Sequence, residues 1–305
     1  MFFRWFAVFV LLSSVSFANV IDEVRTATAQ NNFSRAKAEL DTYKSQHGVT
    51  PEYLEAMSWV ARDALQLKQL DVAETYARET ESLSRQQLYK RRLDAEPHLP
   101  IALGAALEVQ ANVLTARGQQ TQAATLLRRA LATYGTTSIH ARLKKNLNLL
   151  GLAGQAAPAI NVSQYLSIRP QTLAELKGSP VLLFFWAHWC GDCKAEGPII
   201  TRLRFEYSSK GLAVVAPTQL YGYAAAGEDA TPKAELAYIG QVWQRYYSGL
   251  QDVAVPVSKA NFNNYGASTT PTLVLVDRAG RVALYHPGAM AYEDLRAAID
   301  KAIAQ

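Results

Sequence analysis

Cys190 and Cys193 are the only two thiols in a chain of 305 residues. Two thiols at Cys-x-x-Cys spacing can store two electrons. As a dithiol they attack another disulfide, pass through a mixed disulfide and close on themselves. Metal binding is the competing use, but a structural zinc site takes four ligands, and only His188 and His286 could join the pair. Covalent haem needs histidine directly after the second cysteine, where Lys194 stands. A purely structural disulfide is a poor reading, because so short a loop removes little chain entropy.

The elements around the pair specify how it would work. Val181-Leu-Leu-Phe-Phe-Trp-Ala187 is a continuous apolar run after Gly178-Ser-Pro180, which predicts a strand buried on both faces. It leads directly into His188-Trp189-Cys190-Gly191-Asp192-Cys193, and a helix to about Ser208 should follow. That order sets Cys190 at a helix N-terminus, where free backbone amides and the helix dipole favour a thiolate. Cys193 falls in the first turn. Cys190 is therefore expected to be exposed and nucleophilic, and Cys193 shielded and resolving.

At these residues the chain resembles the thioredoxin superfamily and, within it, the TlpA/ResA-type exported thiol-disulfide oxidoreductases. The resemblance is carried by Phe185-Trp-Ala-His-Trp-Cys-Gly-Asp-Cys-Lys-Ala-Glu-Gly-Pro198, in which Glu196 and Pro198 match a Cys-x-x-Glu-x-Pro extension. Downstream, Thr269-Thr270-Pro271-Thr272 is similar to the cis-proline loop that faces the disulfide. Residues 272–286 fit the closing hairpin and 291–304 the terminal helix. The resemblance implies protein thiol or disulfide substrates, an upstream electron donor, a reductase direction, and a substrate surface that includes Trp189, Thr270 and Pro271. It implies no organic cofactor and no metal.

Three features depart from the family. Gly191-Asp192 stands between the cysteines, where relatives often carry proline second. Phe184 occupies the place of a buried Asp or Asn six residues before the nucleophile, which leaves Glu196 as the nearest group to deprotonate Cys193. Residues 218–250 exceed what a minimal thioredoxin fold needs and are rich in tyrosine and tryptophan; they either pack their rings on the sheet or form a rim for partners. Asp192 and His188 are expected to tune the pair, Asp192 by opposing a thiolate and His188, read as facing solvent, by favouring one if protonated. Peroxidase chemistry is disfavoured, because Ala187 stands where peroxiredoxins place Thr or Ser.

Glycine and proline divide the chain. Four of the 17 glycines lie between Asn19 and Leu150, and only three of the 12 prolines. Both residues are excluded from helix interiors, so the first half should be helical and the second rich in strands and turns. Expected helices cover 33–46, 51–69, 70–93, 100–117, 119–134 and 137–150. Leu107, Ala111, Leu114, Gly118, Ala123, Leu127 and Ala130 resemble the skeleton of a tetratricopeptide repeat, and the same register fits fifty residues earlier from Met57. The basic groups Lys90-Arg91-Arg92 and Arg142, Lys144, Lys145 read as solvated helix ends, and His47, His98 and His140 as isolated surface residues.

Residues 1–18 combine Arg4, an apolar run to Leu12, and Ser16 and Ala18 at the positions of a cleavage site, the pattern of a signal peptide. Export would deliver the pair to an oxidising, periplasmic or otherwise extracytoplasmic compartment, with no membrane span in the mature chain. The net charge of +5 lacks the dense basic stripe of a nucleic-acid binder. The expected organisation is a signal peptide at 1–18, an all-α tetratricopeptide-like domain at 19–150 that could hold a protein partner, a flexible linker at 151–157, and an α/β thioredoxin-like domain at 158–305. The reading from another class is a non-enzymatic helical scaffold with an inert disulfide.

Overall fold

A computed structural model describes residues 19–304; the proposed signal peptide lies outside them. The first half is helical: α1 (Val20–Ala29), α2 (Phe33–His47), α3 (Pro51–Gln66), α4 (Leu70–Gln87), α5 (His98–Ala116), α6 (Gln120–Tyr134) and α7 (His140–Gly151). Side-chain oxygens of Asn19, Asn32 and Thr50 accept from first-turn amides and start α1, α2 and α3.

Helices α1 to α6 form three pairs that share one turn. Each first helix ends on a left-handed residue, Asn31, Lys68 or Gly118. The next amide then donates back to the carbonyl of Ala27, Ala64 or Leu114, which closes the helix end. Five residues past each turn stands a buried alanine, Ala36, Ala73 or Ala123, which lets the paired helices approach. Sequence reading found the second and third pairs and missed α1. The short turn Leu93–Ala95 lengthens the second spacing.

Other local differences have clear causes. Helix α4 stops at Gln87, not near Leu93. The Gln87 amide donates to the Val49 carbonyl, Lys90-Arg91-Arg92 turn to solvent, and Leu93 returns to the core. Arg142 and Lys145 are not solvated ends, since both pair with Glu108 on α5. Burial alone would raise the Glu108 carboxyl, but the two cations outweigh it and pull it down to about 2. His98 and His140 are not isolated either, contacting Glu55 and the Gly135 carbonyl. By length and composition α5 is apolar enough to cross a bilayer, and 67% of that stretch is buried among its neighbours.

The second half is α/β. Its elements are β1 (Tyr165–Leu166), β2 (Val181–Phe185), α8 (Gly191–Glu206), β3 (Ala213–Val215), α9 (Pro232–Tyr246), β4 (Val255–Pro256), α10 (Lys259–Tyr265), β5 (Thr272–Val276), β6 (Val282–Pro287) and α11 (Tyr292–Ala304). The four-stranded sheet runs β3-β2-β5-β6, with β2 parallel to β3 and antiparallel to β5, and β6 antiparallel to β5. Alternate residues of β2 serve two cores. Leu182 and Phe184 join the cluster of α8, α9 and α11, while Val181, Leu183 and Phe185 join that of α10. This two-sided burial is why the run carries no polar residue. β4 is only two residues long and pairs with β1 in a separate ribbon.

Segment 152–157 is not a free linker. Its backbone exchanges hydrogen bonds with Gly280 and Val282, so it runs as a strap beside the start of β6. Small residues suggest flexibility by composition, yet here they allow close backbone pairing.

Candidate redox site

Strand β2 delivers the chain to the site through Trp186, whose indole donates to the Ala216 carbonyl and whose own carbonyl accepts from Thr218. Cys190 is the N-cap residue of α8 and is joined to Cys193 by a disulfide. Its sulfur accepts from the Cys193 amide over 3.0 Å. A sulfur in that position meets the amides a helix start leaves free, the contact that stabilises negative charge once the bond is reduced.

Thr270-Pro271 is a cis peptide, and the Thr270 carbonyl lies 3.4 Å from the Cys190 sulfur. An oxidised sulfur has no proton, so this is a contact; a Cys190 thiol could donate there. The Thr272 hydroxyl donates to the Thr269 carbonyl, and the Pro271 carbonyl accepts from Gly288. Cys190 is 4% exposed and Cys193 fully buried. Cys190 is thus less open than its placement predicts, because the proline loop covers one side of it.

Glu196, three residues beyond Cys193 on the same side of α8, is 2% exposed. One carboxylate oxygen accepts from the Met290 amide over 3.3 Å, and the other has no partner among the described residues. Burial pushes this carboxyl up to about 7, with the Met290 bond opposing. Next to it, Gly197 is crossed by the ring of Tyr247; a Cβ there would come within 2.9 Å of that ring. Phe184, on the adjacent strand, is fully buried and lies 5.9 Å from Tyr247. The place of the missing acid is filled by aromatic packing.

The structure overturns the solvent-facing reading of His188. It is 1% exposed, with Nε2 3.4 Å from a Glu235 oxygen. Burial pulls its imidazole below the ordinary value against the opposing pull of Glu235, which favours the neutral ring near neutral pH. Tyr221, Tyr223 and Tyr238 meet the ring edge to face. Glu235, on α9, also accepts from the amides of Tyr221 and Gly222. Sequence reasoning missed Glu235; a lone Glu in an aromatic tract gives no local sign that a histidine 47 residues earlier will meet it. The tract otherwise packs inward through Trp243 and Tyr247 against Trp186. Trp189 is 49% exposed beside Tyr221, and Asp192 is exposed in the first turn of α8.

Among the described residues no cluster of three or more His, Cys, Asp or Glu could hold a metal ion. A chain that stores two electrons at a helix start, with a proline loop across the sulfur, belongs to the class of protein disulfide oxidoreductases. Residues 171–303 match the Thioredoxin-like domain family. The Thioredoxin-like protein YneN of Bacillus subtilis (strain 168) is 31% identical over 150 residues, covering 48% of this chain and 78% of that one. The thiol-disulfide oxidoreductase ResA of Bacillus thuringiensis (strain Al Hakam) is 28% identical over 148 residues, covering 48% and 77%. A crystal structure of a thiol:disulfide interchange protein of Chlorobium tepidum TLS is 18% identical, covering 49% of this chain and 96% of that one at a TM-score of 0.40. The chain belongs to the thioredoxin-like family of thiol-disulfide oxidoreductases.

Proposed function

We propose that the protein is an exported reductase of protein disulfides, with the sheet domain from about residue 158 as the catalyst and the helical domain at 19–150 as a tetratricopeptide-like module that holds a protein partner. The observation that carries the catalytic reading is the Cys190 sulfur at the start of α8, bonded to the Cys193 amide and facing Thr270. In the reduced protein the Cys190 thiolate attacks a substrate disulfide, forming a Cys190–substrate bond and releasing one substrate thiolate. Cys193 gives up its proton and attacks the Cys190 sulfur. The protein disulfide forms, the second substrate thiolate leaves, and two electrons have passed to the substrate. An external dithiol restores the pair.

Glu196 takes the Cys193 proton in this reading, supported by its burial, its free oxygen and a carboxyl held near neutrality. Trp189 offers an apolar face to the substrate, and Thr270 with Pro271 seats its backbone. Asp192 tunes the pair by charge. His188 tunes it by position, since a neutral ring supplies no charge. Export is supported by the composition of residues 1–18, and thiol-disulfide exchange, though not its direction, by the ResA relative.

The test is trapping in the exporting cell. Cys193→Ala should accumulate mixed disulfides with partner proteins and Cys190→Ser should form none, on chains whose first residue is Asn19. Trapping by Cys190→Ser alone would reverse the roles, and recovery of residues 1–18 would remove cleavage from the reading.

A further inference from the structure

The helical half reaches the redox site through α7, which lies against α10 and β6. Asn148 of α7 is buried and donates its side-chain amide to the Tyr265 carbonyl over 2.8 Å. Tyr265 is the last residue of α10, and its carbonyl is one of those a helix end leaves without an internal donor. The side chain of Asn148 therefore completes a helix that belongs to the other half of the molecule.

The next residue, Gly266, has φ +62°. A Cβ there would overlap the backbone of Lys144 and Lys145 in α7. Glycine is required twice, for the left-handed turn and for the close approach of α7. The Gly266 carbonyl accepts from the Tyr285 hydroxyl over 3.2 Å, so the turn is held from β6 as well. From Gly266 the chain reaches Thr270 in four residues, and the Thr270 carbonyl is the group that faces the Cys190 sulfur. Four residues span at most about 14 Å fully extended. With the far end tied by Thr272 and Gly288, a displacement at Gly266 has little chain in which to dissipate before Thr270.

We propose that Asn148 and Gly266 are positioning residues for the substrate: through them α7 sets where Thr270 and Pro271 stand, and so how a polypeptide is seated against Cys190. The inference rests on the reading of Cys190 as the attacking sulfur and of the proline loop as the seat. It gives the helical half a part in recognition within the redox site, apart from any partner it binds elsewhere. Peptide disulfides, whose backbone lies along the loop, depend on this placement. A small disulfide that meets only the sulfur does not.

The experiment uses the full chain, reduced with dithiothreitol and then freed of it, and reads single-turnover exchange with two probes, a disulfide-linked unstructured peptide pair and the small aromatic disulfide of nitrobenzoate. Asn148→Ala removes the donor. Asn148→Asp keeps the shape but turns an acceptor toward the Tyr265 carbonyl, and it replaces the alanine variant if that one is unfolded at the assay temperature. Loss of one buried hydrogen bond should raise the half-saturating concentration of the peptide probe about five-fold, with the limiting rate and the nitrobenzoate rate held within about two-fold. Gly266→Ala, where folded, should act in the same direction and more strongly. An equal effect on both probes, or no effect on either, overturns the proposal. Cys190→Ser is measured alongside; if it still exchanges, the underlying assignment of the nucleophile has failed, not the role of Asn148.

Discussion

In the helical half one packing solution appears three times; around the disulfide none is repeated. The pairs α1/α2, α3/α4 and α5/α6 each close on a left-handed residue and cross at a small one. Their buried carboxylate Glu108 is answered by two cations. In the sheet half, His188 meets Glu235 only at 3.4 Å, and among the described residues one oxygen of buried Glu196 and the hydroxyls of Thr270 and Tyr221 close by have no partner. Buried polar atoms without partners cost stability. The difference teaches where the fold tolerates that cost: in the helical half at Ser84, at Asn146 and where the Arg62 guanidinium lies over the Trp59 ring, away from the sulfurs, and in the sheet half close to a pair of sulfurs whose protons must move.

The largest expected effect tests whether stability and chemistry are separable. Leu40→Ala, in the first helix pair and remote from α7, should cost about 3 kcal/mol, and Phe184→Ala, on the strand entering the site, about 4 kcal/mol. Denaturant unfolding measures both. Only Phe184→Ala should also change the Cys190–Cys193 reduction potential, because Phe184 packs on Tyr247 beneath α8. A shifted potential in Leu40→Ala would break the comparison.

Next in size is the pH dependence of stability. The native Glu196 carboxyl is raised to about 7 from an ordinary value of 4.5. A raised native value means the folded protein holds the proton more tightly than the unfolded chain. That contribution is complete below about 4.5 and is lost as pH rises through about 7, on the order of 3 kcal/mol. Glu196→Gln should remove this slope between about pH 4.5 and 7 in thermal or urea unfolding. An unaltered slope would assign the proton to another group. The same variant should slow the step in which Cys193 resolves a trapped substrate.

The smallest effect belongs to Asp192. Its exposed carboxylate opposes a thiolate on Cys190, so Asp192→Asn should lower the Cys190 pKa by less than about one unit, or about 1.4 kcal/mol. A more stable thiolate favours the dithiol, and the reduction potential should rise with it. Thiolate absorbance and equilibration with glutathione measure the two shifts. No change in either would leave Asp192 as an ordinary acid at a helix start.

What could be read beforehand follows from how local each signal is. The strand, the cysteines and α8 are contiguous, so one stretch of sequence carries both the element and its chemistry. The proton-accepting role of Glu196 stays a proposal, while its position and the proline loop were legible through the resemblance. The burial of His188 was not, because it depends on Glu235 in α9. The docking of α7 on Gly266 was not, because a glycine before a turn looks the same whether or not a helix crosses it. Helix α1 was not legible although Asn19 caps it and Val20, Val24 and Ala27 form its buried stripe, because ten residues give a short stripe directly behind an apolar run. The strap at 152–157 was read as loose because composition reports bulk and not backbone pairing.

That strap also sets an order of assembly. The Arg281 guanidinium that binds the Gly154 carbonyl lies 127 residues away in sequence. β2 likewise waits for β5, whereas each helix pair joins neighbours in the chain. Distant contacts pay the loop-closure entropy before they return any stability, and they form slowly. On a chain emerging from a ribosome, the three helix pairs can be complete while the sheet still lacks its central antiparallel neighbour. Through that interval Cys190 and Cys193 are already present, three residues apart and with no other cysteine in the chain. The late-closing half can meet an oxidant early and still form no wrong bond within itself.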